Sequence, residues 1–336
     1  MTLIIAEIGL SHEGSLGLAI SMAESALKSG ADIIKYQAHF PEAESSEQEK
    51  FRIHFTRQDE SRWDYWDRTS FSLKEWKILK EAVESKGGKF CVSVFSKFAL
   101  DFFLNMDVTI IKLGSGDFTN QELRQALESF TGTLLLSSGM ANWNEIEEAA
   151  FWIKHSKCDG NSAILQCTSK YPTQNNQVGL NVMQSIRENL GVLSGLSDHT
   201  SQIHSSLAAI VLGAKYIEKH FAISRDLFGP DIKSSILPSD LKLISEFRHA
   251  LPDLLMPVDK DKVADELQDL RNIFGRSLGL KRDFLVGERP SIDDFCLRKP
   301  SGGLLWQSRI TYIGKALKKH YSTRELLSED HFEMFE

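Results

Sequence analysis

Val192-Leu193-Ser194-Gly195-Leu196-Ser197-Asp198-His199-Thr200 and, fifteen residues further on, Lys215-Tyr216-Ile217-Glu218-Lys219-His220-Phe221 decide the fold of this chain. The apolar runs 192–196 and 215–217 each read as a short strand, and each runs into a polar cluster containing a histidine. Between them, 204–212 carries apolar side chains at helical spacing. Strand, helix, strand, with polar residues at both strand ends, is the repeating unit of a parallel α/β sheet. If the sheet closes as a (β/α)8 barrel, all strand C-termini meet at one open mouth. His199 and His220 then face each other from neighbouring strands.

Working outward, the same alternation recurs along the chain. Candidate strands are 3–8, 32–37, 89–94, 108–113, 133–137, 162–167, 192–196 and 215–220. Stretches of helical period lie at 18–28, 73–84, 142–154, 182–189 and 238–249. Eight repeats predict an α/β chain with a TIM barrel over 1–257. An open doubly wound sheet is the competing architecture, but no Gly-x-Gly-x-x-Gly follows the first strand. One connection, 38–72, is long, polar and aromatic, with Trp63, Tyr65 and Trp66. It reads either as a lid over the mouth or as an excursion packing its aromatics on the rim. Pro252 and Pro257 interrupt the last helical pattern, and 258–275 reads as a linker whose charged part, 259–271, is one helix. From Arg276 short strands and Gly/Pro turns predict a separate small β-rich domain, 276–336.

The bulk properties narrow the class. The chain has 336 residues, 42% hydrophobic and 25% charged, as a folded soluble protein does. A net charge of −7 argues against a nucleic-acid surface, although a local lysine pair still suits an anionic small molecule. Cys91, Cys158, Cys167 and Cys296 lack metal-ligand spacing and read as buried free thiols in a reducing compartment. The N-terminus reads as a first strand rather than a signal peptide. No apolar run reaches the length of a membrane span. A cytoplasmic enzyme is the expectation.

The strand ends carry the chemistry. The first ends at Glu7; the second carries Lys35 and Gln37 on one face by period-two alternation. The next four end near Ser93, Lys112-Leu113-Gly114-Ser115-Gly116-Asp117, Ser137-Ser138-Gly139 and Cys167-Thr168-Ser169. Lysines with hydroxyls and Gly-rich backbone amides suit a phosphate. Hydroxyls and glycines alone are common in turns, but lysine inside a barrel strand is rarely buried unpaired. His199 and His220 form a candidate metal pair. Asp198 and Glu218, each beside a histidine, either orient the imidazoles or lie on the surface.

These motifs, with Ser11-His12-Glu13-Gly14, Tyr171-Pro172-Thr173 and Gly229-Pro230-Asp231, resemble the sialic acid synthase family. It includes the N-acetylneuraminate, legionaminic and pseudaminic acid synthases. From Gly275-Arg276-Ser277-Leu278 through Lys299-Pro300 the chain resembles that family's antifreeze-like (SAF) domain. The resemblance implies condensation of phosphoenolpyruvate with an N-acyl mannosamine-type amino sugar, releasing phosphate. It implies phosphoenolpyruvate contacts at Lys35, Ser93, Lys112, Ser115, Ser137, Ser169 and Ser197. It implies a divalent metal on His199 and His220, with Mn²⁺ expected and Mg²⁺ or Co²⁺ as alternatives. Glu7, Gln37, Asp117, Tyr171 and Asp231 match positions of the sugar site or of proton transfer. A domain-swapped homodimer is implied, in which a SAF arginine reaches the partner's sugar. Three motifs depart from the family: Val92-Ser93-Val94-Phe95 lacks a proline, Ser11-His12 replaces Asn-His, and Arg298-Lys299-Pro300 inverts Lys-Arg-Pro. Another metal-dependent phosphoenolpyruvate synthase or aldolase, or a non-catalytic carbohydrate-binding coat-assembly protein, are the alternative readings.

Overall fold

The computed structural model describes residues 1–46, 48–53, 55–56 and 58–333. It divides into two compact units, Met1–Leu255 and Met256–Glu336. The first is a closed parallel barrel of β1 Leu3–Gly9, β2 Ile33–Ala38, β3 Lys89–Val94, β4 Ile110–Leu113, β5 Thr133–Ser137, β6 Ala163–Cys167, β7 Leu193–Asp198 and β8 Tyr216–His220. Strands pair in chain order, and β8 closes on β1 with Ile5 opposite Glu218 and Glu7 opposite His220.

Period-two alternation sorts each strand into two faces. On β2, Ile34, Tyr36 and Ala38 join the layer between barrel and helices, while Ile33 joins the lumen cluster. Ile5, Ile33, Cys91, Ile110, Leu135, Leu165 and Tyr216 fill the lumen floor. The lumen-facing residues one step towards the mouth are polar: Glu7, Lys35, Ser93, Lys112, Ser137, Ser197 and Glu218, all buried. The apolar floor thus fixes the strands, and the rigid strand ends hold the charges.

The helices form where capping and periodicity agree. Leu73–Ser85 starts in a capping box of Ser72 and Glu75 and buries Trp76, Leu79 and Val83. Leu79 is fully buried, so Leu79→Ala should cost about 2–5 kcal/mol. Pro238–Leu254 runs through Pro252 rather than stopping near His249. The proline falls in the last turn and forgoes one backbone bond, to the carbonyl four residues back, which the rest of the helix tolerates.

The long connection contains two short helices, Pro41–Glu44 and Arg62–Thr69. Tyr65 and Trp66 are buried. Arg68 bonds Asp59 Oδ1 at 2.7 Å and Glu13 Oε2 at 3.0 Å, tying the segment to the turn after β1. The aromatics therefore pack on the rim, and Arg52, Tyr65 and Trp66 of the same segment also line the cavity at the mouth.

In the second unit, 259–271 is not one helix: Lys260–Glu266 and Gln268–Phe274 meet at Leu267. Among the described residues two strands follow, β9 Ser277–Leu280 and β10 Phe295–Arg298, paired antiparallel. Leu278, Leu280, Phe284, Phe295, Tyr312, Leu317, Tyr321, Leu327 and Phe332 form its core. The expected small β unit is thus present as a two-stranded sheet with the further bridges Phe284–Tyr321 and Leu317–Phe332, joined by turns; the last three residues of the expected 276–336 domain lie outside the described residues.

Candidate active site

The barrel mouth encloses a cavity of about 660 Å³. At its base lie four charged groups in contact. Lys35 Nζ is 2.8 Å from Glu7 Oε2 and 3.4 Å from Glu218 Oε1. Lys112 Nζ is 2.7 Å from Glu218 Oε2. Ser197 Oγ donates to Glu218 Oε1 at 3.0 Å. Burial alone would push Lys35 down, but Glu218 and Glu7 reverse this and hold it above the ordinary lysine range. Burial likewise opposes ionisation of Glu218, yet the two lysines hold its carboxyl well below the usual carboxylate range. The base is thus two cations balanced by two carboxylates, shielded from water.

Around this base stand donors without strong internal partners. Ser137 Oγ is buried with no hydrogen-bond partner among the described residues. Lys35 donates to Ser93 Oγ at 3.0 Å, and Gly139 N donates to Ser115 Oγ at 3.1 Å. A Cβ at Gly139 would crowd the Ser169 and Ser115 hydroxyls, so the glycine lets both keep their present positions beside the backbone. Lysines, hydroxyls and a close-approaching backbone form a cradle for a tetrahedral anion.

The histidines stand at the other side of the mouth. Their ring centroids are 5.4 Å apart. His199 Nδ1 donates to Thr168 O at 2.9 Å, which leaves the Nε2 lone pair available. Burial, and the neighbouring His220, push His199 down to about 3, so its ring is neutral. Tyr171 stacks on His199 with centroids 4.1 Å apart, and Asp231 Oδ2 lies 4.0 Å from His220 Nδ1. The neutral His199 ring, with its Nε2 lone pair free and the His220 ring beside it, fits a divalent transition ion. Among the described residues no group of three or more His, Cys, Asp or Glu is placed to hold a metal. A cation here would therefore keep positions open for oxygen ligands.

The barrel residues matched to substrate, proton-transfer and metal positions line this cavity: Glu7, Lys35, Gln37, Ser93, Lys112, Ser115, Asp117, Ser137, Ser169, Tyr171, Ser197, His199, His220 and Asp231. Arg298 and Lys299 lie in the second unit. There Arg298 Nε donates to Leu280 O at 3.0 Å, and Lys299 Nζ sits 5.0 Å over the Phe274 ring. Two expectations need correction. Asp198 points out of the lumen, bonded to Ser205 and Ser206 and 3.2 Å from Lys219, so it orients no imidazole. Glu218 is neither surface nor second to a histidine but the partner of both lysines. Its parity with His220 was the available signal. Of the thiols, Cys91 and Cys167 are buried, whereas Cys158 and Cys296 are half-buried. Arg52 was missed: its Nη2 bonds Asp231 Oδ1 at 2.7 Å and its guanidinium lies 3.7 Å over Tyr171. No local motif marks it.

A parallel barrel whose mouth gathers paired lysines, carboxylates and imidazoles in one cavity defines a barrel enzyme acting on an anionic substrate. The chain belongs to the NeuB family, which its residues 22–254 match. It is 33% identical to the N,N'-diacetyllegionaminic acid synthase of Campylobacter jejuni over 98% of this chain and 99% of the relative. The Legionella pneumophila N,N'-diacetyllegionaminic acid synthase is 29% identical over 98% of this chain and 94% of its own. Among solved structures, the N-acetylneuraminic acid synthetase of Leptospira borgpetersenii, crystallised with citrate, superposes with a TM-score of 0.68. It is 28% identical, covering 80% of this chain and 91% of that one. The protein is an enzyme of the sialic-type acid synthase kind. No helix among the described residues is long and apolar enough to cross a membrane.

Proposed function

We propose that this chain is a nonulosonic acid synthase, a carbon–carbon bond-forming transferase. It joins phosphoenolpyruvate to the open-chain form of a six-carbon amino sugar. Two similar synthases are named for N,N'-diacetyllegionaminic acid, which favours an acceptor bearing two acetamido groups. The observation that carries the reading is the Lys35–Lys112 pair beneath the unpartnered Ser137 hydroxyl. It is a ready site for the carboxylate and phosphate of phosphoenolpyruvate.

In this mechanism Lys35 and Lys112 hold those anionic groups, and Ser93, Ser115, Ser137, Ser169 and Ser197 supply directed hydrogen bonds. Gln37, Asp117, Tyr171 and Asp231 orient the sugar so that its aldehyde carbon meets C3 of phosphoenolpyruvate. A divalent cation held by His199 and His220, Mn²⁺ first and Mg²⁺ or Co²⁺ as alternatives, would supply Lewis-acid polarisation of the aldehyde. Attack through C3 leaves a cationic C2. Glu7 positions water against C2 and accepts its proton. The C2 adduct then loses phosphate by C–O cleavage, leaving the 2-keto acid.

The second unit is proposed to be an antifreeze-like domain serving the site of a partner chain in a domain-swapped homodimer. A cytoplasmic location suits a phosphoenolpyruvate-consuming enzyme. The test is phosphate release from phosphoenolpyruvate with N-acetylmannosamine or a diacetamido hexose, with product mass read alongside. Sugar-dependent release and a nine-carbon product are expected, with loss in chelator and recovery on adding Mn²⁺. Release without sugar, or none with any acceptor, overturns the reading; full turnover in chelator overturns the metal assignment.

A further inference from the structure

His39 follows β2 by one residue and continues the lumen-facing row of Ile33, Lys35 and Gln37. Its ring is buried and sandwiched between Trp66 and Phe95, with centroids 4.3 and 4.2 Å away and planes within 11° and 8°. Its Nδ1 is 2.5 Å from Glu44 Oε1, and Glu44 Oε2 accepts from Phe40 N at 3.1 Å. Its Nε2 is 3.4 Å from Gln37 Oε1, and Gln37 Nε2 donates to Glu7 Oε1 at 2.7 Å. These contacts form one chain: Glu44, His39, Gln37, Glu7. An ionised Glu7 only accepts, so the Gln37 amide must present its NH₂ to Glu7 and its oxygen to His39. That oxygen also only accepts, so Nε2 must carry hydrogen. The Nδ1–Glu44 contact needs a second proton between its two atoms.

We propose that His39 is a positioning residue. Clamped by Glu44 and the two rings, it fixes the Gln37 amide and through it the carboxylate of Glu7. This rests on the reading of Glu7 as the group that handles the attacking water. Without the Nε2 donor the Gln37 amide keeps its bond to Glu7 but loses the contact that fixes its oxygen end, and the Glu7 carboxylate loses its fixed orientation.

The experiment compares kcat and the phosphoenolpyruvate KM of the wild type, His39→Phe and Glu44→Gln, with histidine ¹⁵N spectra of the wild type and Glu44→Gln. Phenylalanine keeps the stack and removes the protons. His39→Phe is expected to lower kcat about 10- to 100-fold and to spare the phosphoenolpyruvate KM. Glu44→Gln, which unclamps the ring, is expected to lower kcat in the same direction with the same KM spared. Wild-type kcat in His39→Phe, or a phosphoenolpyruvate KM that rises as far as kcat falls, overturns the proposal; if that variant does not fold, an unchanged kcat in Glu44→Gln does. The spectra need no substrate: a wild-type His39 lacking its Nε2 proton at neutral pH overturns the proposal even if the condensation reading has failed.

Discussion

At the scale of single residues, the base of the site is a charge balance that ligands must rearrange. Glu218 is the counter-ion of Lys112 at 2.7 Å and of Lys35 at 3.4 Å, all three buried. Glu218→Gln leaves buried ammonium charge uncompensated, which costs about 3–5 kcal/mol. The unliganded variant should melt well below the wild type. Phosphoenolpyruvate restores negative charge, so its stabilising increment in a thermal-shift measurement should exceed the wild-type one. Equal melting points without ligand would show that Glu218 does not balance the lysines. His12 offers a pH test away from the chemistry. It is fully buried against Phe71, with centroids 4.5 Å apart, and burial pushes it from 6.5 down to about 4. Below pH 6.5 the unfolded chain takes up a proton that the folded chain refuses. The stability present above 6.5 is therefore lost as pH falls towards 4, by ~3 kcal/mol over the window. His199 acts with the same sign. Denaturant titrations between pH 7 and 4 should show His12→Phe, which keeps the ring stack, losing one proton's worth of slope, about 1.4 kcal/mol per unit. An unchanged slope would place a proton on His12 in the folded state. Lys35 and Lys112 were legible in the sequence because a lysine inside a barrel strand needs a reason. Asp198 and Glu218 were misread because nearness to a histidine was weighed above strand parity, which sends Asp198 outward and Glu218 inward.

At the scale of elements, the eight strands and the longer helices were written in the periodicity, because each strand's outer face and each helix's buried stripe must match locally; the short helices Lys97–Leu104 and Gln121–Ala126 span too few turns to show a period and were not among the expected stretches. The fate of the 38–72 connection was not written there either, because its partners are distant in sequence. Arg52 meets Asp231 across 179 residues, and Arg68 meets Glu13 across 55. No window of local pattern contains both ends. The segment now makes a prediction. Arg52 spans Asp231 and Tyr171, which lie beside His220 and His199. It therefore stands at the histidine end rather than the lysine end of the cavity, the end proposed for the sugar. Arg52→Ala should raise the sugar KM about 10-fold or more, the cost of one charge-assisted contact. The phosphoenolpyruvate KM should barely move. Arg52→Lys should recover only part, since an ammonium neither stacks on Tyr171 as a planar guanidinium does nor forks to Asp231. A raised phosphoenolpyruvate KM, or no change in either, would remove Arg52 from the sugar subsite.

At the scale of the whole molecule, the chain carries its barrel chemistry in one unit and two further candidate residues in another. In the second unit Arg298 is half-buried and bonded to Leu280 O and Lys281 O, whereas Lys299 is exposed. Arg298 is thus committed to holding β10 against β9, and Lys299, exposed and over the Phe274 ring, is the more accessible cation of the two. If that cation serves the barrel of a partner chain, activity depends on pairs of chains. Mixing a Lys112→Ala chain with a Lys299→Ala chain would then restore one competent site in each mixed dimer. Random exchange makes half the dimers mixed, with one good site in two, so about a quarter of wild-type activity returns. The mixture needs each variant to be folded and inactive alone, with subunit exchange verified by mass. The same mixture with Arg298→Ala tests the assignment within the unit. That variant loosens the β9–β10 pairing, so it should lose melting temperature as well as activity, whereas Lys299→Ala should lose activity alone. Recovery in neither mixture, after exchange is verified, would mean that the second unit does not complete a partner's site. Recovery with a stable Arg298→Ala chain but not with Lys299→Ala would make Arg298 the residue that reaches the sugar.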